Sequence, residues 1–253
     1  MSPEFTDRKG LLLIIGGQRC GSTLLARTLA MDSRIRLAGL TPPEQRFLLS
    51  DEDPLQSLRA SLLTHESAVA GNVKWIGEKA TTYLEIPWLA PRIRTLGLEP
   101  RVIVILRDPV IRAYSNYQFS TRMGFERLPV EEALTRRAEA RSWDTTKLST
   151  SPYHYLKRGE YSRMLSPWLQ VFPDMQIMFL EELVAEPSTL KVVFEHLNLT
   201  QPPVPHRLKR VNASHLGFPP LPPHIAQNLR RHYQPRNQEL LTMLDRDRLP
   251  WSS

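Results

Sequence analysis

Cysteine is almost absent: Cys20 is the only one in 253 residues, which excludes an internal disulfide and favours a reducing compartment. Long hydrophobic runs are missing as well. The longest early one, Leu11–Ile15, falls far short of the roughly 20 residues that span a bilayer, so no membrane span is expected. Residues 1–10 lack the apolar core of a signal peptide, and a cytoplasmic location is the expectation. His206, His215 and His224 are evenly spaced, but they lie in a proline-rich stretch and lack metal-ligand spacing, so chance accounts for them. Lysine is scarce, with 7 residues against 26 arginines. No run of like charge exceeds Arg207–Arg210, which argues against nucleic acid as a partner.

The chain is nonetheless basic, with a formal charge of +7. A planar guanidinium fits phosphate and sulfate oxygens, so the arginine bias suits an oxyanion-binding protein, although coding bias would produce it equally. Hydrophobic residues at 41% and charged residues at 23% are near globular averages, which excludes wholesale disorder, collagen and coiled coil.

Leu11–Ile15 is wholly apolar and closes on Gly16-Gly17, which predicts a strand buried on both faces. Ser22–Ala30 follows with helical spacing. Helices are also predicted at Leu55–Ala70, Glu131–Arg141 (polar and exposed), Gly159–Phe172, Thr189–Leu197 and Ala226–Leu244. Arg101–Leu106 and Gln176–Leu180 read as two further strands, and 78–84 as a short segment among turns. Asp108 at an N-cap followed by Pro109 starts another helix that runs to about Thr121. Strands alternating with helices predict an α/β, doubly wound parallel sheet flanked by helices. One domain over 1–253 is expected, with 1–10 flexible and 201–223, which holds seven prolines, an ordered loop packed over something.

Between the first strand and first helix lies Gly16-Gly17-Gln18-Arg19-Cys20-Gly21-Ser22-Thr23, nearly the spacing G-x-x-x-x-G-K-[ST] of a phosphate-cradling loop. Ser22 occupies the lysine position. That lysine reaches the outer phosphates of a triphosphate, whereas here the cation, Arg19, sits inside the loop. Glycines alone would fit a turn with no ligand; the strand, the arginine and the Ser-Thr helix start together favour one. Arg107 falls at the carboxyl end of a predicted strand, where open α/β sheets bind ligands. Ser115 follows roughly 10 Å along the next helix. The two could hold a phosphate, or be a surface arginine and an ordinary helical serine.

The string Gly17–Leu25 resembles the 5′-phosphosulfate loop of sulfotransferases that use 3′-phosphoadenosine-5′-phosphosulfate (PAPS), and Leu106-Arg107-Asp108-Pro109…Arg112…Ser115 resembles their 3′-phosphate motif. Similarity continues through Tyr155–Pro173, Glu181–Pro187 and Asn228–Trp251, and is greatest to the heparan-sulfate-type and bacterial subgroup. The resemblance implies a P-loop-like fold, PAPS as donor, adenosine 3′,5′-bisphosphate (PAP) as product and no metal. It implies a 5′ site at Gln18, Arg19, Cys20, Gly21, Ser22 and Thr23, and a 3′ site at Arg107 and Ser115.

Three catalytic residues follow from the same resemblance. Glu44, in Pro43-Glu44-Gln45-Arg46-Phe47-Leu48, matches the family's general base, with Arg46 where a histidine is usual. Alone, Glu44 would read as a solvated carboxylate. Lys79, in Gly77-Glu78-Lys79-Ala80-Thr81-Thr82-Tyr83, matches a lysine facing the transferring group; alone it would read as a surface lysine. Arg19 is expected to stabilise the departing phosphate. Lys209 and Arg210 are candidates for a basic loop over the donor, and Arg46, Tyr83, Arg158 and Tyr161 for the acceptor cleft, although packing suits Tyr161 equally. The acceptor would be a hydroxyl on a glycan, lipid, peptide or small natural product. Two rivals remain at this point: a P-loop kinase or nucleotide hydrolase, and a non-catalytic module that binds anions or nucleic acid.

Overall fold

The two wholly apolar runs form neighbouring strands in the middle of a sheet, where both faces are covered. In the computed structural model, which describes residues 9–40, 44–50, 56–57, 72–142, 151–202 and 217–251, strand β1 spans Gly10–Gly16 and pairs in parallel with β4, Arg101–Leu106. Leu12 to Ile15 and Ile103 to Leu106 are fully buried. Strands β2 (Ile35–Ala38), β3 (Trp75–Lys79) and β5 (Gln176–Phe179) complete a five-stranded parallel sheet in the order β2-β3-β1-β4-β5. The chain leaves β1 towards one edge and β4 towards the other. The crevice at the carboxyl ends of β1 and β4 is therefore the switch point, where doubly wound sheets bind ligands.

β2 and β3 were not read from the sequence as strands. β2 is four residues long with Arg36 inside it, and β3 ends in Glu78 and Lys79, which are buried. Charged residues at a strand end read as a turn, yet here they are the residues that β3 delivers to the carboxyl edge of the sheet. Gly77, in the middle of β3, is fixed by close approach: a Cβ there would lie 1.7 Å from the carbonyl oxygen of Leu12 on β1.

Helix α1 (Ser22–Leu29) buries Leu24, Leu25 and Leu29. Helix α2 is Leu89–Thr95, and α3 is Pro109–Arg122, where the Asp108 carboxylate accepts from the Val110 amide at 2.8 Å as an N-cap. The predicted helix at 131–141 is broken into α4 (Val130–Ala133) and α5 (Arg136–Glu139), because Thr135 caps a new start by accepting from the Ala138 amide. Helix α6 (Tyr161–Val171) buries Tyr161, Leu165 and Trp168; α7 is Leu180–Ala185. The predicted helix at 189–197 divides into a 3-10 turn, Pro187–Leu190, and α8, Lys191–His196. Helix α9 (Pro223–Met243) packs Ile225, Leu229 and Tyr233 at four-residue intervals. Of the predicted helix at 55–70, only 56–57 lie among the described residues, and they are helical. Among the described residues no helix is long and apolar enough to cross a membrane.

The close approach at Gly77 makes a prediction. Gly77→Ala should cost about 3 kcal/mol or more, because two backbones must separate, whereas Gly97→Ala, with open space around it, should cost about 1 kcal/mol for its left-handed φ alone. Chemical denaturation of the two variants measures the difference.

Candidate active site

The loop after β1 is shaped by two left-handed residues, Arg19 at φ 71° and Gly21 at φ 91°. Glycine adopts that conformation freely, whereas an arginine pays about 1 kcal/mol for it, the kind of strain that clusters at functional sites. A Cβ on Gly21 would also lie 2.6 Å from Leu180 Cδ1. The turn closes with the Cys20 amide donating to the Gly17 carbonyl at 3.1 Å, and α1 begins with Leu25 donating to Gly21 at 3.0 Å. Ser22 and Thr23 thus stand in the first turn of α1, where main-chain N–H groups have no partner inside the helix.

Three residues far apart in sequence meet at this loop. Arg107, just past β4, donates from Nη1 to the Arg19 carbonyl at 3.1 Å. The Arg19 side chain runs to α3, where Nε donates to Ser115 Oγ at 3.2 Å and the guanidinium lies 5.1 Å over the Phe119 ring. Burial lowers the Arg19 pKa to about 10, helped by the like charges of Arg122 and Arg107. Arg19 therefore stays protonated at neutral pH, inside a cluster of mutually repelling guanidinium groups. Phe119 and Arg122 were not singled out from the sequence. The signal was available, since Ser115, Phe119 and Arg122 share one face of α3 at helical spacing.

Beneath the loop, Cys20 and Tyr161 are buried. Cys20 Sγ lies 3.4 Å from the Tyr161 hydroxyl, which donates to the Arg107 carbonyl at 2.8 Å. Burial pushes the Cys20 thiol up to about 11, the opposite of a thiolate nucleophile. Tyr161, 1% exposed, props the loop from below and does not line an open cleft.

The second half of the site comes from β3. Its Lys79 Nζ lies 2.6 Å from Glu44 Oε1. Thr81 adds its amide to Glu44 Oε2 at 2.9 Å and its hydroxyl to Oε1 at 3.0 Å. Glu44 is thus held in one orientation by side-chain and main-chain donors together. Thr81 carries no signal of its own in the sequence, yet its two-residue spacing from Lys79 lets both reach one carboxylate. Arg46 is half-buried and in the left-handed region, with Nε donating to the Glu44 carbonyl at 3.4 Å.

Tyr83 and Arg158 do not line a cleft either. Tyr83 is fully buried beneath the 47–49 turn. Arg158, 1% exposed, is bound by Glu85 at 2.7 Å and by the Ser151 carbonyl at 2.8 Å. Its strong donors need internal acceptors, so the protein spends this cation on its own core. Lys209 and Arg210 lie outside the described residues, as does the 203–216 portion of the proline-rich stretch.

A parallel sheet, a glycine-turned loop at its switch point, cations facing that loop and a serine at the Walker lysine position define a P-loop-like α/β protein. The chain belongs to the family described as Sulfotransferase domain, whose profile matches residues 10–202; its members are transferases of sulfur-containing groups. It is 26% identical over 178 residues to human heparan sulfate glucosamine 3-O-sulfotransferase 3B1, covering 70% of this chain and 42% of that protein. It is 29% identical over 187 residues to the bifunctional heparan sulfate N-deacetylase/N-sulfotransferase 1 of Caenorhabditis briggsae, covering 70% of this chain and 21% of that protein. The chain therefore spans less than half the length of these curated relatives. In three dimensions it is similar to a sulfotransferase from Alicyclobacillus acidocaldarius, with a TM-score of 0.72 at 20% identity over 96% of this chain and 98% of that one, which supports the fold.

The buried thiol gives a direct check. At pH 8 a group titrating near 11 is about one-thousandth thiolate, so Cys20 should resist iodoacetamide in the native protein and react fully once urea exposes it. Rapid native labelling at pH 8, followed by mass spectrometry, would contradict the buried placement.

Proposed function

We propose that the chain transfers a sulfuryl group from PAPS to an acceptor hydroxyl, with Glu44 as general base and PAP as product. The observation that carries this reading is the convergence of Arg107 and Ser115 on Arg19 beside a loop without the Walker lysine.

The residues present fit the donor. Gathered guanidinium groups repel one another, and a polyanion relieves that repulsion. The 5′ phosphate suits the main-chain amides of Gln18 and Gly21 with Ser22 and Thr23 at the helix start, whereas the Cys20 amide, expected in this site, is already taken by the Gly17 carbonyl. The 3′ phosphate suits Arg107 and Ser115. In this reading Arg19 moves from the departing phosphate to the 3′ group, because its Nε already donates to Ser115.

When bound, the donor supplies an activated sulfur–oxygen bond whose cleavage leaves a phosphate oxyanion. Glu44 takes the proton of the acceptor hydroxyl as that oxygen bonds to sulfur. Lys79, already 2.6 Å from Glu44, is the cation next to the base and neutralises charge on the sulfuryl oxygens. Lys79 and Thr81 bring three donors to Glu44, and a carboxylate offers about four lone-pair sites, so one remains for the acceptor hydroxyl. The scheme balances with side-chain cations alone. The names of the heparan sulfate relatives support a carbohydrate as the first acceptor class to test.

Two variants separate the roles. Glu44→Gln should lower turnover by about 100-fold or more and leave PAP affinity unchanged; full turnover would remove Glu44 as base. Arg107→Ala should weaken PAP roughly 10- to 100-fold in calorimetric titration, with little change for adenosine 5′-phosphate, which lacks the 3′ group. Equal losses for both nucleotides would misplace the 3′ site. Tight magnesium–ATP binding with no response to PAP would favour a kinase instead.

A further inference from the structure

Glu44 has its side chain held by Lys79 and Thr81, but its backbone lies on a short segment that needs its own anchor. After Glu44 the chain passes through Arg46, at φ 57°, into a 3-10 turn at Phe47–Leu49. Within that turn Leu49 donates to the Arg46 carbonyl and Ser50 to the Phe47 carbonyl, both at 3.0 Å. The amides of Phe47 and Leu48 come too early in the turn to find a carbonyl within it.

Both are taken by side chains from the Glu78–Tyr83 stretch. The Phe47 amide donates to Glu78 Oε2 at 3.3 Å, and the Leu48 amide donates to the Tyr83 hydroxyl at 2.9 Å. The Tyr83 hydroxyl in turn donates to Glu78 Oε1. Both oxygens of Glu78 are therefore engaged, and the tyrosine relays from one amide to the carboxylate. Glu78 is 1% exposed and Tyr83 fully buried, where a polar pair persists only when satisfied. One stretch of chain thus grips the 44–48 segment at three levels: Lys79 and Thr81 hold the Glu44 side chain, Glu78 the Phe47 amide, and Tyr83 the Leu48 amide.

We propose that Glu78 and Tyr83 are positioning residues that fix Glu44 through the main chain of Phe47 and Leu48. The proposal rests on the reading of Glu44 as the base. It gives the buried Glu78–Tyr83 pair a task apart from acceptor binding. Burial raises the Glu78 carboxyl to about 7, and the hydrogen bonds from Tyr83 and the 47–48 main chain act against that rise.

The test is Tyr83→Phe, which keeps the ring and its packing and removes only the hydroxyl, with Glu78→Gln as second variant. Amide hydrogen exchange and the Thr81 amide chemical shift, read by NMR with no acceptor present, are the deciding measurements, since Thr81 donates to Glu44 Oε2. Tyr83→Phe should speed exchange at Leu48 and Phe47 by about tenfold or more, leave β1 and β4 unchanged, and move the Thr81 shift towards its value in Glu44→Ala. With chemically desulfated heparan sulfate as acceptor probe, its kcat should fall roughly 10- to 100-fold while PAP affinity and stoichiometry stay at wild type. Unchanged protection at 47 and 48, an unmoved Thr81 shift, or a kcat loss matched by lost PAP stoichiometry would overturn the proposal. If Glu44→Gln keeps full turnover while exchange at 47 and 48 responds as expected, the base assignment fails and the anchoring of the segment stands.

Discussion

Arg107 donates to the carbonyl of Arg19, and Arg19 donates to Ser115, so residues 88 and 96 positions apart are joined across the crevice between β1 and β4. The residues packed against the loop serve that junction. The Arg19 backbone is turned left-handed to offer its carbonyl inward and its side chain to α3. Tyr161 supports the Arg107 carbonyl from below, and Cys20 fills the space beside it. The cost is a buried arginine held among like charges: burial first, and Arg122 and Arg107 after it, lower the Arg19 pKa. The anionic donor of the proposed reaction would supply the missing negative charge.

The opposite wall obeys a different constraint. β3 pairs with β1 in register from Gly10–Trp75 to Ile14–Lys79, and a glycine is needed where the two backbones touch. That register delivers Glu78 and Lys79 to the sheet edge beside the phosphate loop. A single stretch then organises the Glu44 segment by side chain and main chain together. The cation wall gathers like charge, whereas the carboxylate wall pairs its charge internally, Glu44 with Lys79 and Thr81.

The loop, its flanking strand and the start of α3 were legible in the sequence because each is local: a glycine spacing, an apolar run, a cap; Arg107 and Ser115 were favoured as a phosphate-binding pair only by the family resemblance. The wholly apolar strands β1 and β4 announce themselves by burial on both faces. β3 did not, because its second half carries the charges and glycine that its position demands. Tyr83, Arg158 and Tyr161 looked like cleft residues since polar side chains in a recognised motif suggest contact with substrate. Their burial depends on long-range partners, Glu78, Glu85 and the Arg107 carbonyl, which no local pattern contains. The split of the 131–141 helix turned on Thr135, whose capping hydroxyl competes with helix continuation.

The measurement that bears most directly on the central claim is a crystal structure with PAP bound. The account predicts the nucleotide in the crevice between β1 and β4, its 5′ phosphate on the amides that open α1 and its 3′ phosphate against Arg107, Ser115 and Arg19. Phosphate density elsewhere, or a 3′ phosphate pointing to solvent with the Arg19–Ser115 contact undisturbed, would contradict it.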